Sequence, residues 1–234
     1  MQNRMKKYLL YAIGEIILVM IGILLAFQVN TWRDNDIKAA KEVNYISDIK
    51  SNLQDDLASI DKIVNFNQQK IAKCDSIFTT MGRISDPSVY MPILNSYMFF
   101  ITEYYIHASN KTAFENMLGA ESIDLISNDS LKLQLSHYYK KDFTITTQES
   151  VKLRSRQFGD YVALEGFNRE TILGLLDHES SLRPISEVSF HTDEKFYAHL
   201  FSMMITTQTQ IDELLIIRAE IEALIELIEG QEFS

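Results

Sequence analysis

The residue whose type and setting most invite chemistry is Glu15. It lies inside YLLYAIGEIILVMIGILLAF, residues 8–27, the one window of the chain apolar enough to cross a membrane. A carboxylate there would hold a proton, line an ion path, or hydrogen-bond to a neighbouring helix. A second group is aromatic: Phe99, Phe100, Tyr104 and Tyr105 fall within ILNSYMFFITEYYIH, residues 93–107. They would line a distal pocket for a ligand, or form core at the head of a helical bundle. The histidines are His107, His137, His178, His191 and His199, with no i,i+4 pair of the kind a helical metal site needs. His191, Asp193, Glu194 and His199 would converge only if their loop folds back. Ser47 and Lys50 match S-x-x-K but lack the companion motifs, and there is no G-x-S-x-G, P-loop, H-E-x-x-H or G-x-G-x-x-G. The expectation is therefore no catalytic residue, no metal, no cofactor and no enzymatic activity. Asn110-Lys111-Thr112 and Asn128-Asp129-Ser130 fit a glycosylation pattern, but both read better as helix caps.

Composition bounds what can position these residues. The 234 residues suffice for an anchor and one domain of roughly 200 residues. Hydrophobic residues make up 46% and charged residues 23%, which fits a folded chain rather than a disordered one. With only 8 Gly and 3 Pro, long helices are favoured over a barrel or sandwich. A net charge of −10 argues against nucleic acid and against a domain lying flat on anionic lipid. Cys74 stands alone, so no internal disulfide forms, and its place in an apolar stripe predicts a buried core thiol.

Residues 8–27 span about 30 Å as a helix, the thickness of the hydrocarbon core. A cleaved signal peptide would have a shorter apolar run ending in a small-x-small site, which is absent, so the segment reads as an uncleaved signal anchor. Arg4, Lys6 and Lys7 precede it without acids, whereas Arg33 and Lys38 follow it mixed with Asp34 and Asp36. That asymmetry predicts a cytoplasmic N-terminus, with Tyr8 and Trp32 as interfacial anchors. A central acid costs about 2.5–3.5 kcal/mol, while each Ile, Leu, Val or Phe returns about 0.3–0.6 kcal/mol, so insertion wins narrowly. On a helical wheel Glu15 shares a face with Tyr11, Leu18, Gly22 and Ala26. Gly22 and Ala26 form a small-xxx-small pair that lets two backbones approach, which predicts a homo-oligomer or a contact with another membrane protein.

The run Lys7-Tyr8-Leu9-Leu10-Tyr11-Ala12-Ile13-Gly14-Glu15-Ile16-Ile17-Leu18-Val19, with Ile21-Gly22-Ile23-Leu24, Ala26, Gln28, Asn30 and Trp32, resembles the opening of a family of small membrane proteins from Gram-negative bacteria, known only as a domain of unknown function. Asn110-Lys111-Thr112-Ala113-Phe114-Glu115, Ile126-Ser127-Asn128-Asp129-Ser130-Leu131 and Tyr138-Tyr139 are similar to its midsection. Residues 150–234 carry no matching motif. The resemblance implies an inner-membrane anchor with a periplasmic helical domain, and it implies no activity.

The rest of the chain must then be helical. The expected organisation is a cytoplasmic tip at 1–7, a transmembrane helix at 8–29, a helical stalk at 31–82, a distal helical region at 93–190 and a return helix at 193–230. Along the stalk Ile46, Ile49, Leu53, Leu57, Ile60, Val64, Ile71, Cys74, Phe78 and Met81 form a coiled-coil-like stripe with one stutter, in which Asn67 occupies a core slot. Asn67 either fixes register or faces water at a packing gap. Gly82, Pro87 and Pro92 mark a connection of roughly ten residues. Thr112 and Glu115 form a capping box, and Gly119 stops that helix. Asn128 caps a helix running to about residue 164, with Gly159 and Gly166 as possible bends or ends. A short helix or turn is expected at 167–177, and a loop at 178–190 with a short strand at 185–191. The last helix would run antiparallel to the stalk with Glu220, Glu222, Glu226 and Glu229 facing water.

The fold class expected is all-α: a transmembrane helix continuous with a long rod and an antiparallel bundle outside a bacterial inner membrane. The function expected is a homo-oligomeric scaffold or accessory subunit. The alternatives are a periplasmic sensor-like ligand-binding module, or a proton- or ion-coupling element using Glu15.

Overall fold

The computed structural model describes residues 2–143, 147–166 and 190–230. Its first helix, α1 (Gln2–Arg83), runs without a break from the apolar segment into the bundle and would be about 120 Å long. Then come α2 (Pro87–Thr102), α3 (Thr112–Gly119), α4 (Asp129–Lys140), α5 (Thr147–Gly166) and α6 (Glu194–Glu229). Single 3-10 turns sit at Ile123–Leu125 and Phe190–Thr192. No strand occurs among the described residues, so the all-α architecture stands.

The return helix packs antiparallel to α1. Lys50 pairs with Glu229 at 2.8 Å, Asp61 with Arg218 at 2.9 Å and Asn67 with Gln210 at 2.8 Å, so positions climb on one helix as they fall on the other. Both helices bury one seam. On α1 it comprises Ile46, Ile49, Leu53, Asp56, Ile60, Ile63, Asn67, Lys70, Cys74, Ile77 and Met81. The intervals alternate three and four throughout. The expected stutter is therefore absent; it arises only if Asp56, Ile63, Lys70 and Ile77 are replaced in the count by Leu57, Val64, Ile71 and Phe78. Those four are half-buried flanks of the seam. On α6 the same alternation runs through Phe196, Leu200, Met203, Thr207, Gln210 and Leu214, and on to Ile221, Leu224 and Ile228.

The core divides in two. The proximal core joins Ile46 to Ile63 of α1 with Phe114 and Met117 of α3, Leu131, Leu135, Tyr138 and Tyr139 of α4, and Leu214 to Ile228 of α6. The distal core joins Cys74, Ile77 and Met81 with α2, α5 and the start of α6. Each fully buried Ile, Leu, Met or Phe contributes about 1.5–3 kcal/mol. Residues 93–190 do not all lie at the far end of the rod: α3 packs on α1 and α4 on α6, both in the core nearer the apolar span.

Local chemistry explains the other departures. The connection after α1 is only residues 84–86, because Asp86 caps α2 by accepting from the Ser88 N–H at 2.9 Å and Pro87 opens the helix. Pro92 lies in the second turn of α2 rather than in a loop. The Thr112/Glu115 capping box does not form; Asn110 Oδ1 accepts from the Thr112 N–H at 3.3 Å, which places Thr112 inside α3. Gly119 does end α3, and Asn128 does cap α4 by accepting from the Leu131 N–H at 3.1 Å. The helix expected to reach residue 164 breaks after Lys140 and resumes at Thr147. The helix or turn expected at 167–177, and all but the last residues of the strand expected at 185–191, lie outside the described residues; Phe190 and His191 are in a 3-10 turn.

Candidate functional site

Two parts of α1 hold the candidate residues. The first is its uncovered span. Within residues 13–41 every side chain is exposed except Thr31 and Ala39, which are half-buried. Glu15, Leu18, Gly22 and Ala26 are all in this bare stretch, as is Trp32, and all five are exposed among the described residues. The side chains of Tyr8 and Tyr11 lie outside what is described. From residue 13 onward the first buried residue of α1 is Glu42, whose carboxylate accepts from the Ser127 N–H at 2.7 Å and from its hydroxyl at 2.8 Å. From Val29 to Glu42 is about 20 Å of free helix. α6 ends beside Lys50, so its acidic end stands well clear of the apolar span. There Glu226 and Glu229 are exposed, while Glu220 and Glu222 are half-buried in ion pairs with Lys141 and Arg218.

The second part is a polar belt between the two cores. Residues 103–111, linking α2 to α3, leave the helix in extended geometry at Glu103 and thread between the helices as a strap. Buried backbone must be satisfied by something, and here side chains replace the missing neighbouring strand. Lys70 Nζ donates to the Glu103 carbonyl at 2.8 Å, and Gln210 Nε2 to the Tyr105 carbonyl at 2.9 Å. Gln148 Nε2 donates to the His107 carbonyl at 2.9 Å, and its Oε1 accepts from the His107 N–H. Asp56 Oδ1 accepts from the Asn110 N–H at 2.8 Å.

A second set of bonds braces the first. Asn67 Nδ2 donates to Gln210 Oε1 at 2.8 Å, Lys70 Nζ to Ser155 Oγ at 2.7 Å, and the Tyr138 hydroxyl to Asp56 Oδ2 at 2.9 Å. The open question about Asn67 is thus answered: it is buried and pairs across the seam, an arrangement that fixes register. Burial pushes Asp56 up, opposed by its bonds from Asn110 and Tyr138 and by His107. Burial holds His107 below the ordinary histidine range, with Asp56 opposing. Lys70 is brought down to about 8 by burial, against the pull of Cys74 and Glu103. The Cys74 thiol is pushed up to about 12 by burial, which makes it a core residue and a poor nucleophile.

What this arrangement can do chemically is limited by access. Lys70 and Ser155 have the spacing of a base and its nucleophile. Lys70 is 1% exposed, Ser155 is fully buried, and the lysine's other bond goes to the strap. The four aromatics expected at a distal pocket have different surroundings. Phe99 is 69% exposed; Phe100 and Tyr105 pack on Phe66 at 4.6 and 4.7 Å between ring centroids; Tyr104 lies under Arg156. A pocket of about 210 Å³ opens elsewhere, between Phe143, Gln148, Gln210 and Leu214. Among the described residues no three of His, Cys, Asp and Glu converge as a metal set would. His191 Nδ1 is 2.6 Å from the Met81 carbonyl, and the ring of His199 lies against Tyr161. Ser47 is exposed and Lys50 is spent on Glu229, so the S-x-x-K pair forms no site.

Asp56, Lys70, His107, Gln148, Ser155 and Gln210 were not singled out by motif. The one trace they leave is positional: Asp56 and Lys70 fall on the strict three-four alternation of the α1 seam.

Fold and site together define a helical bundle carried on the extension of one apolar helix long enough to span a membrane, with a belt of buried polar side chains at its waist. The chain belongs to the family of unknown function DUF6090, which matches residues 15–151. The matched stretch takes in α1 from Glu15 onward, α2, the strap, α3, α4 and the first turn of α5. No curated protein and no solved structure matches the chain.

Proposed function

We propose that this protein is a single-pass membrane scaffold or accessory subunit that self-associates through its anchor and carries no catalysis. The observation that supports this most is the bare first half of α1, where every residue of the Glu15, Leu18, Gly22 and Ala26 face is uncovered while the bundle above is packed. Lipid satisfies the apolar positions, but it cannot satisfy a carboxylate, so Glu15 gains most from a second helix. Gly22 has nothing within 4 Å of a built Cβ, which leaves room for that helix to come close. The basic residues before the span favour a cytoplasmic N-terminus and a periplasmic bundle in a bacterial inner membrane, with Tyr8 and Trp32 at the two interfaces.

Light scattering of the full chain in mild detergent tests this. An oligomer is expected, and Gly22→Leu should shift it toward monomer. A strictly monomeric wild type would end the reading. A pull-down from native membranes then identifies any further membrane partner.

One observation favours a sensor-like module as the second reading. The pocket of about 210 Å³ is walled by Gln148 and Gln210, the same side chains that hold the strap. A ligand seated there would bear directly on the belt. A thermal-shift screen of periplasmic metabolites tests it, and no stabilisation by any compound counts against it.

A further inference from the structure

The imidazole of His107 is anomalous. It is fully buried, and neither Nδ1 nor Nε2 has a hydrogen-bond partner. Its ring rests on Phe143, 5.9 Å between centroids. Its own backbone N–H and carbonyl are both held by Gln148, so the buried ring hangs from a point where the belt grips the strap. Fully buried side chains are normally paired, and an unpaired one in a native fold calls for a reason. We propose that His107 is a proton-operated release: taking up a proton on its ring detaches residues 103–111 from the belt and uncouples the proximal core from the distal one.

The surroundings decide what a proton would do. From α1, Asp56 acts on the ring, and Asp55 acts on Asp56. From α4 come Tyr138 and Tyr139, both kept neutral because burial pushes their hydroxyls up, with Glu220 of α6 acting on Tyr138. From α5 comes uncharged Gln148, already committed to the strap. From α6, near the shared pocket, Glu213 accepts from the Thr147 hydroxyl. The counter-charge for an imidazolium is thus Asp56, and both its oxygens are occupied, by the Asn110 N–H and the Tyr138 hydroxyl. An imidazolium drawing Asp56 away breaks the strap at Asn110. Fully buried, an imidazolium reaches water only if the packing around residue 107 opens. Either route frees the same segment.

The sign follows. With its affinity for protons lowered by burial, His107 binds fewer protons in the strapped form than in the released form. Falling pH below about 6.5 therefore favours release. Asp56, shifted upward, has the opposite sense at lower pH, so the histidine must be isolated by substitution.

Amide hydrogen exchange on the full chain in a non-ionic detergent, at pH 7.5 and 5.5 and corrected for intrinsic rates, tests this. Protection across 103–111 should fall by up to about tenfold, the most that one histidine regaining its ordinary range near 6.5 can deliver at pH 5.5, while the helices of both cores keep theirs. His107→Phe should abolish the fall. Unchanged strap protection in the wild type overturns the proposal, and so does an equal fall in His107→Phe. If that variant does not fold by circular dichroism, His107→Gln is used in its place. If neither folds, the wild type decides alone: loss confined to the strap supports the release, and loss spread evenly over the bundle overturns it.

Discussion

The proximal and distal halves of the bundle share α1 and α6 but are held in different ways. Distally, α1, α2, α5 and α6 pack as four long neighbours around an apolar core, and Gly159 lets α5 approach Thr102 of α2. Proximally, the short α3 lies on α1 and the short α4 on α6, and both are hooked on by polar bonds: Glu42 to Ser127, Asp56 to Asn110 and Tyr138, and Lys141 to Glu220 at 2.6 Å. Long helices bury enough surface to position themselves. Helices of 8 and 12 residues do not, and directional bonds set their place instead.

That contrast can be broken from either side. The largest loss should come from Phe158→Ala, which empties the distal core and costs about 3–5 kcal/mol in denaturant unfolding of the full chain in mild detergent. Its exchange signature should be confined to α2, α5 and the start of α6. Asp56→Ala removes no comparable volume but leaves the Asn110 N–H and the Tyr138 hydroxyl buried without an acceptor, for about 2–4 kcal/mol, with protection lost in α3 and α4 instead. Should both variants loosen the same helices, the two-core description fails.

Smaller effects sharpen the picture of the belt between them. Asn67→Leu strands Gln210 and should cost about 1–3 kcal/mol; adding Gln210→Leu should not recover all of it, because the Tyr105 carbonyl then lacks its donor. Lys70 gives a pH signature. Folded, it loses its proton near 8; unfolded, near 10.5. Over that range the unfolded chain binds more protons, so stability rises with pH. Cys74, raised from 9 to about 12, opposes the rise above pH 9. Unfolding at pH 8 and 9 should therefore show a gain of about 1 kcal/mol, absent in Lys70→Met. The smallest effect should be Gly159→Ala: its new Cβ would meet Thr102 Cγ2 at 3.3 Å, offsetting the gain in helix propensity and leaving a net change within about 1 kcal/mol.

Much of the architecture was legible because it is periodic. The unbroken first helix, the antiparallel return helix, the buried thiol of Cys74 and the cap at Asn128 follow from spacing and local residue type. The belt does not. Asn67 and Gln210 are 143 residues apart, and nothing local to either signals the other. Polar residues at 56 and 70 look like interruptions in an apolar stripe until the strap beside them is known, and the strap itself reads as a continuation of an aromatic helix. The same blindness misplaced α3 and α4: short helices carry little periodicity, and their position depends on hooks 82 and 85 residues away in sequence. The aromatic residues at 99, 100, 104 and 105 read as one patch, but the helix ends at Thr102: Phe100 and Tyr105 still meet on Phe66, while Phe99 faces outward and Tyr104 lies under Arg156.

The bare length of α1 between the apolar span and Glu42 makes the anchor and the bundle one shaft. In a continuous helix each residue adds about 100° of rotation, so the azimuth of the packed seam relative to the Glu15 and Gly22 face is set by counting. Removing one residue from 30–41 would swing the whole bundle about a quarter-turn or more relative to the apolar span, whereas removing seven would nearly restore its heading and only bring it about 10 Å closer. Length and phase are separable there, and if copies associate through the Glu15 face as proposed, the phase decides which side of the bundle each presents to the other.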